Sequence, residues 1–404
     1  MHAASPARTL VFTERVPRVC SLSPADVAFL LAVHANHLEL APTGTRGRYQ
    51  ITPLGHVGVI VAPACRLVIR PKVPLSNLFL LLDPAAPLPS APDAVTPISA
   101  AHLFDLLAGQ FAHRLAERAA AGLHRDYTER PSQGPFLHGR LDLPAQLRDA
   151  PGRKDRLHSR HDDFSADVPC NQVPRATAER LLASPLPGED LRAALRQALH
   201  AFDGVRPLPP AADAFTAPAL DRLPEGYRPL FDLCHLLLEG LGPDEAAGPT
   251  PAPAFLLDME RIFERYVTRG VVQAFAASKR HAVSVQPTFT ASPSRPGRPD
   301  VAMRPDLLID RDGRRVLVVD AKWKRLPRAA LVTADFYQVL AYATALGVPR
   351  AVLVYPGRHD RAWEYDFPGS PVRVTVRTLR VVGPGQACAL SLRRLGRALQ
   401  RDAR

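Results

Sequence analysis

Two aspartates and a lysine occur at a spacing that could hold a divalent cation. Asp306 follows Arg304-Pro305, and Asp320 precedes Lys322 in the run Asp-Ala-Lys-Trp-Lys. Lysine is sparse here, since only five of the 51 basic residues are lysines and two of the five lie in this run. Carboxylates can bind Mg²⁺, and a nearby ammonium group can orient a water or neutralise charge. The pattern predicts metal-dependent hydrolysis of a phosphodiester.

The segment between the two aspartates is predicted to form a β-hairpin. Two apolar runs, residues 307–310 and 316–319, flank a polar turn that contains Asp312-Gly313. Pairing of the two strands would bring Asp306 close to Asp320, and the two-residue period of a strand places Lys322 on the face of Asp320. Asp320 ends an apolar run, where burial of a charge costs free energy unless a cation or a partner is present.

Two helices flanking the hairpin offer further candidates. Glu260 and Glu264 are four residues apart, so both can lie on one face of a helix, and either could supply a third carboxylate. Gln338 and Tyr342 have the same spacing after the hairpin, and Gln338 could hydrogen-bond a metal-bound water or a phosphate. Each part of the pattern is common by itself. The order Glu, Asp, Asp-x-Lys, Gln-x-x-x-Tyr favours a catalytic interpretation.

Three proline-rich stretches, residues 84–97, 207–224 and 242–253, divide the chain. They predict a β-rich N-terminal domain over residues 1–83, a mainly helical middle region over 98–241 and an α/β domain over 255–404. In the last of these, the pattern predicts a helix over 255–275, a strand over 283–289, the hairpin, a helix over 333–346 and a strand over 351–355. The predicted fold class is therefore α/β.

Composition limits the classes of function. Basic residues exceed acidic ones by 51 − 39 = 12, which suits a polyanionic partner such as DNA. The five cysteines are far apart and form no Cys-x-x-Cys pair, so no zinc or iron–sulfur site is expected. No apolar run reaches the roughly 20 residues that span a bilayer. We expect a cytoplasmic protein without membrane association.

At these motifs the sequence resembles the McrC family, the nuclease subunits of McrBC-type, modification-dependent restriction systems. The resemblance is carried by residues 258–267, by Arg-Pro-Asp at 304–306, by Asp-Ala-Lys-Trp-Lys at 320–324 and by residues 335–342. Residues 138–142 and 164–171, and Gly-His-Val-Gly at 55–58 with Ile-Arg-Pro-Lys-Val at 69–73, are similar to the middle and N-terminal parts of the family.

The resemblance implies a C-terminal PD-(D/E)xK restriction-endonuclease-like core that uses Mg²⁺ and no other cofactor. It assigns catalytic roles to Asp306, Asp320 and Lys322, and metal binding to the two aspartates. Glu264 fits the family's Phe-Glu-x-Tyr-Val position better than Glu260, as a third metal ligand. Gln338 carries over as a supporting residue.

The resemblance also implies a division of labour. A separate AAA+ GTPase subunit would recognise modified double-stranded DNA, of the 5-methylcytosine type, and move along it, while this chain docks through its N-terminal region and cuts. The chain contains no Gly-x-x-x-x-Gly-Lys-Ser/Thr phosphate loop, so GTP or ATP would be used by the partner. Two alternatives stay open: a stand-alone repair nuclease of the RecB or Cas4 kind, and a non-catalytic adaptor of an AAA+ ring.

Overall fold

The computed structural model describes residues 8–82, 101–149, 152, 155–208, 215, 222–242, 254–291, 301–324, 326 and 333–404. Two of the predicted linkers, residues 84–97 and nearly all of 242–253, lie outside this part of the chain. Contacts divide the protein into two compact units. Unit 1 contains Met1–Ala100 and Leu256–Arg404, and unit 2 contains Ala101–Phe255. The segments predicted as the first and third domains thus belong to one unit.

The described residues contain both strands and helices, which makes the protein a mixed α/β structure. The strands are β1 Thr9–Thr13, β2 Arg18–Ser21, β3 Leu38–Pro42, β4 Arg48–Pro53, β5 His56–Val61, β6 Arg66–Arg70, β7 Asp126–Gly134, β8 Arg140–Leu141, β9 Leu157–Ser165, β10 Ala254–Asp258, β11 His281–Val285, β12 Phe289–Ala291, β13 Val301–Met303, β14 Leu307–Arg311, β15 Arg314–Ala321, β16 Arg350–Gly357, β17 Arg361–Asp366 and β18 Arg373–Arg380. The helices are α1 Pro24–Val33, α2 Leu75–Leu82, α3 Ala101–Ala121, α4 Leu143–Asp149, α5 Pro169–Ala183, α6 Glu189–Leu199, α7 Arg228–Leu241, α8 Met259–Phe275, α9 Thr333–Leu346 and α10 Gly385–Asp402, with a 3₁₀ turn at His200–Phe202.

The main sheet of unit 1 has six strands in the order β11-β14-β15-β16-β18-β17. The hairpin of β14 and β15 is antiparallel, whereas β15, β16 and β18 run parallel. Strands β15 and β16 read as continuous apolar runs, as expected for strands covered on both faces. Helix α9 packs on one face through Phe336, Val339 and Ala343. This confirms the hairpin and the flanking helix that the sequence predicts.

Two smaller sheets make up the N-terminal part of unit 1. One has the order β1-β6-β5-β10, and the other has the order β2-β4-β3. Strands β1 and β6 are parallel neighbours, with Thr13 opposite Arg70. Ser23 caps α1 by accepting a hydrogen bond from the backbone of Asp26, and Asp26 returns the contact, which forms a capping box.

Unit 2 combines helices with a sheet that the sequence analysis did not predict. Its three strands have the order β7-β9-β8, and β7 pairs with β9 over nine residues. These strands are rich in charged and small polar residues, with little apolar alternation, so no strand signal stands out. Helices α3 to α7 and the 3₁₀ turn are the other described elements of the unit. Among the described residues, no helix is both long enough and apolar enough to cross a bilayer.

Two predicted elements need correction. Residues 254–258 are a strand, and the helix begins only at Met259, because Asp258 accepts hydrogen bonds from the backbone of Glu260 and Arg261 as the helix cap. The strand predicted over residues 283–289 is two strands, β11 and β12, interrupted at Gln286. Gln286 has φ of 46°, in the left-handed region, and a strand cannot continue through this conformation.

Candidate active site

The hairpin brings Asp306 and Asp320 to the same end of the sheet. Asp306 directly precedes β14, and Leu307 pairs with Val319 on β15, one residue before Asp320. Asp306 Oδ2 accepts a hydrogen bond of 2.6 Å from the backbone N–H of Ala321. This bond fixes the first carboxylate against the strand that carries the second.

Lys322 lies beside Asp320, as the two-residue spacing predicts. Its Nζ is 2.7 Å from Asp320 Oδ2, and the residue Asp320 is only 1% exposed. The backbone of Lys322 continues the sheet by donating to the carbonyl of Val354 at 2.8 Å. Within the described residues, no hydrogen-bond donor reaches Asp320 Oδ2 apart from this ion-pair contact.

Burial and neighbouring charges shift the pKa values of Asp306, Asp320 and Lys322. Burial, together with the charges of Asp320 and Glu264, raises the pKa of Asp306 to about 8. Burial also raises the pKa of Asp320, although Lys322 opposes this change. For Lys322, burial acts to lower the pKa, but the charge and hydrogen bond of Asp320 outweigh it, so the net change is a raised pKa. Burial thus favours the protonated forms of Asp306 and Asp320 over free carboxylates.

The two helical glutamates occupy different surroundings. Glu264 on α8 accepts a hydrogen bond from Gln286 Nε2, and its charge acts on Asp306. Glu260, one turn earlier, is paired with Arg15 instead. Gln286 also donates its backbone N–H to the carbonyl of Asp306 at 2.8 Å. Glu264 is thus the helical carboxylate that belongs to the cluster of Asp306, Asp320 and Lys322.

Gln338 is not drawn into this cluster. It lies exposed on α9 and donates a hydrogen bond of 2.8 Å to the hydroxyl of Tyr342. Among the described residues, no hydrogen bond joins it to Asp306, Asp320 or Lys322. The predicted pair of Gln338 and Tyr342 forms, but as a contact on the helix surface.

Sequence reasoning missed Asp335 and Gln286. Asp335, on the first turn of α9, is 3% exposed, and its Oδ1 lies 2.7 Å from Lys324 Nζ. Its other oxygen accepts a hydrogen bond of 2.9 Å from Tyr355 Oη, and its charge acts on Asp320. An acidic residue in the first turn of a helix is ordinarily a capping signal, so burial of Asp335 could not be expected from the sequence. Gln286 has no local signal of any kind.

The donor set fits a hard divalent cation. The charges of Asp320 and Glu264 act on Asp306, so three carboxylates are available, and Lys322 and Lys324 supply positive charge beside Asp320. Oxygen ligands of this kind suit Mg²⁺. In the part of the chain that the structure describes, no three His, Cys, Asp or Glu side chains already converge as a metal cage. Lys322 Nζ and Gln286 Nε2 instead satisfy two of the carboxylates.

The family is shown by comparison with known proteins. The model of the family described as "McrBC 5-methylcytosine restriction system component" matches residues 51–356, which is more than half of the chain. The chain therefore belongs to this family. No curated protein matches the sequence.

Two solved structures are similar to the chain. The first is a chain of the refined half-complex from the tetradecameric assembly of Thermococcus gammatolerans McrB AAA+ hexamers with bound McrC. Its TM-score is 0.55 and its sequence identity is 17%, and the match covers 96% of this chain and 100% of that chain. The cryo-EM structure of the Thermococcus gammatolerans McrBC complex has 19% identity and a TM-score of 0.41, covering 67% of this chain and 89% of that chain. The first likeness supports the α/β fold over almost the whole length.

Proposed function

We propose that this chain is the Mg²⁺-dependent endonuclease subunit of a restriction system that acts on modified DNA of the 5-methylcytosine type. The observation that carries the proposal is the cluster of Asp306, Asp320, Lys322 and Glu264 at one end of the six-stranded sheet. We take this sheet with its flanking helices to be a PD-(D/E)xK core. Membership of the restriction-system family supplies the biological context.

The residues would divide the work as follows. Asp306, Asp320 and Glu264 would hold Mg²⁺, which, when bound, activates a water and stabilises the charge that develops on the phosphate. Lys322, already beside Asp320, would orient the attacking water and add positive charge. Gln338 keeps a supporting role at most, because its amide is engaged by Tyr342.

The partner would be an AAA+ GTPase subunit that recognises the modification and drives translocation. The similar Thermococcus structure contains McrB AAA+ hexamers with bound McrC, which motivates the same assembly here. This chain has no phosphate loop of the Walker type, so nucleotide hydrolysis would belong to the partner. Residues 1–83 are the proposed docking region.

The test is plasmid cleavage with Mg²⁺, on methylated and unmethylated DNA, with and without the AAA+ protein encoded beside this chain and with and without GTP. Cutting only of methylated DNA in the presence of partner and GTP is expected. Cutting by this chain alone would instead favour a stand-alone repair nuclease. Stimulation of GTP hydrolysis without any cutting would favour the adaptor.

A further inference from the structure

The Trp323 side chain is enclosed by two charged residues from the beginning of the chain. Its indole Nε1 donates a hydrogen bond of 2.9 Å to Glu14 Oε2, and the residue is 0% exposed. Lys72 Nζ lies 4.2 Å from the ring centroid and donates to the Trp323 carbonyl at 3.0 Å. Both the side chain and the backbone of Trp323 are therefore held from outside the six-stranded sheet. We call Glu14, Lys72 and Trp323 the Trp323 cluster.

Glu14 and Lys72 are themselves fixed by the small sheet of unit 1. Glu14 is 1% exposed, and its backbone N–H donates to the carbonyl of Arg70 at 2.9 Å. Its second carboxylate oxygen accepts a hydrogen bond of 2.9 Å from the backbone N–H of Lys72. The two residues follow the ends of the parallel strands β1 and β6. They approach Trp323 from a rigid support.

Packing alone does not require these groups. A tryptophan ring can be buried by apolar neighbours, whereas burial of a carboxylate costs free energy that only well-made hydrogen bonds and ion pairs offset. The lysine distribution points the same way, since three of the five lysines in the chain are Lys72, Lys322 and Lys324. Three of the five ammonium groups of this arginine-rich chain thus belong to, or contact, one short segment.

That segment carries the proposed catalytic lysine. Strand β15 ends at Ala321, so Lys322 lies just beyond the strand. The next residue is Trp323, whose side chain is hydrogen-bonded to Glu14. The ring of Phe263, the residue before Glu264, packs on Trp323 with centroids 5.4 Å apart. A shift of Trp323 would therefore disturb both the lysine and the helical carboxylate.

We propose that Glu14 and Lys72 are positioning residues of the active site, which hold Lys322 in place through Trp323. The inference rests on the proposed nuclease function and extends it to the N-terminal segment. Glu14 and Lys72 contact Trp323, the residue after Lys322, and so act on the lysine through the chain. Since a misplacement of about 1 Å can cost on the order of 100-fold in rate, loss of the contact should lower turnover without weakening DNA binding.

The experiment compares Glu14→Gln, Trp323→Phe and the double variant in the complex with the AAA+ partner, GTP, Mg²⁺ and methylated DNA. Gln at position 14 leaves one of two donors unpaired, and Phe at position 323 keeps an aromatic ring but removes Nε1–H. Asp360→Asn is the control, because Asp360 is a carboxylate of the same unit, outside the proposed docking region, that also accepts a backbone hydrogen bond, from Arg380 at 3.1 Å.

We expect kcat for cleavage to fall at least about tenfold in each single variant, with KM for DNA and GTP hydrolysis unchanged. The double variant should lose no more than the more affected single variant, because both substitutions break the same contact. Asp360→Asn should leave kcat unchanged.

Unchanged kcat in Glu14→Gln and Trp323→Phe, multiplicative losses in the double variant, or an equal loss in Asp360→Asn would overturn the inference. Absence of cleavage by the wild-type complex would overturn the proposed function, and the inference with it. If the wild-type complex cuts DNA and the substituted complexes cut equally well, the inference fails while the proposed function stands.

Discussion

Replacement of Asp306 by Asn should stabilise the metal-free protein, and increasingly so as the pH rises. Burial and the neighbouring carboxylates raise the pKa of Asp306 from 3.8 to about 8. Between these values the folded protein keeps the proton that the unfolded chain releases. Because the folded state binds more protons, the free energy of unfolding of the wild type falls as pH rises through this window. Asn cannot ionise and escapes this loss, while its side-chain oxygen can still accept from Ala321.

The magnitude follows from the width of the window. From about pH 5.5 to about pH 8, each pH unit changes the contribution of Asp306 by about 1.4 kcal/mol, so about 3 kcal/mol is the ceiling. The charge of Lys322, which favours the ionised form, is already part of the pKa of about 8. We expect Asp306→Asn to gain about 1–3 kcal/mol over the wild type across this range. Added Mg²⁺ should stabilise the wild type and not the variant, since a ligand stabilises only the state that binds it.

The assay is urea unfolding at pH 5.5 and pH 8 in the presence of a chelator, repeated with Mg²⁺. Asp312→Asn on the same hairpin is the control. The hydrogen bond and charge of Arg280 lower the pKa of Asp312, so its stabilising contribution is complete well below pH 5.5 and should not differ between the two conditions. An advantage of Asp306→Asn that is absent at pH 8, or equal at both pH values, would refute the assignment of Asp306 to a crowded carboxylate cluster.

Three further predictions concern the surroundings of the site. Glu264→Gln should lower cleavage at least about tenfold and weaken its dependence on Mg²⁺, whereas Glu260→Gln should cut like the wild type. If both variants lose cleavage equally in a Mg²⁺ titration, Glu264 is not the distinct helical carboxylate of the site. Gln338→Ala should reduce single-turnover cleavage less than Glu264→Gln, because its amide bonds Tyr342 and not the carboxylates; a larger loss would restore it to the site. Asp335→Asn should destabilise the protein by about 1–3 kcal/mol in urea unfolding, because it leaves Lys324 without its buried ion-pair partner. No change in stability would show that this pair is dispensable.

The hairpin was predictable because its signals are local. Two apolar runs and an Asp-Gly turn specify it, and Asp312 and Gly313 indeed adopt φ of 50° and 78°. From the hairpin, the meeting of Asp306, Asp320 and Lys322 follows by strand geometry. The helix α9 was equally readable from its apolar periodicity and the glycine that follows it.

Features that depend on distant partners were not predictable. Residues 255–257 are three consecutive apolar residues, a run that fits a buried strand as well as a helix, so pattern alone placed the start of α8 too early. Glu260 and Glu264 share a helical face, and only Arg15 and Gln286 distinguish them. Glu14 and Trp323 are separated by 309 positions, and no local pattern links them.

The most direct test of the account is a single reaction in which DNA cleavage and GTP hydrolysis are measured together for the wild type and Lys322→Ala. The complex would contain the AAA+ partner, Mg²⁺ and methylated plasmid. We expect Lys322→Ala to abolish cleavage while GTP hydrolysis is stimulated as by the wild type, because the lysine acts on the phosphodiester and not on the motor. Full cleavage by Lys322→Ala would show that the cluster of Asp306, Asp320, Lys322 and Glu264 is not the nuclease site.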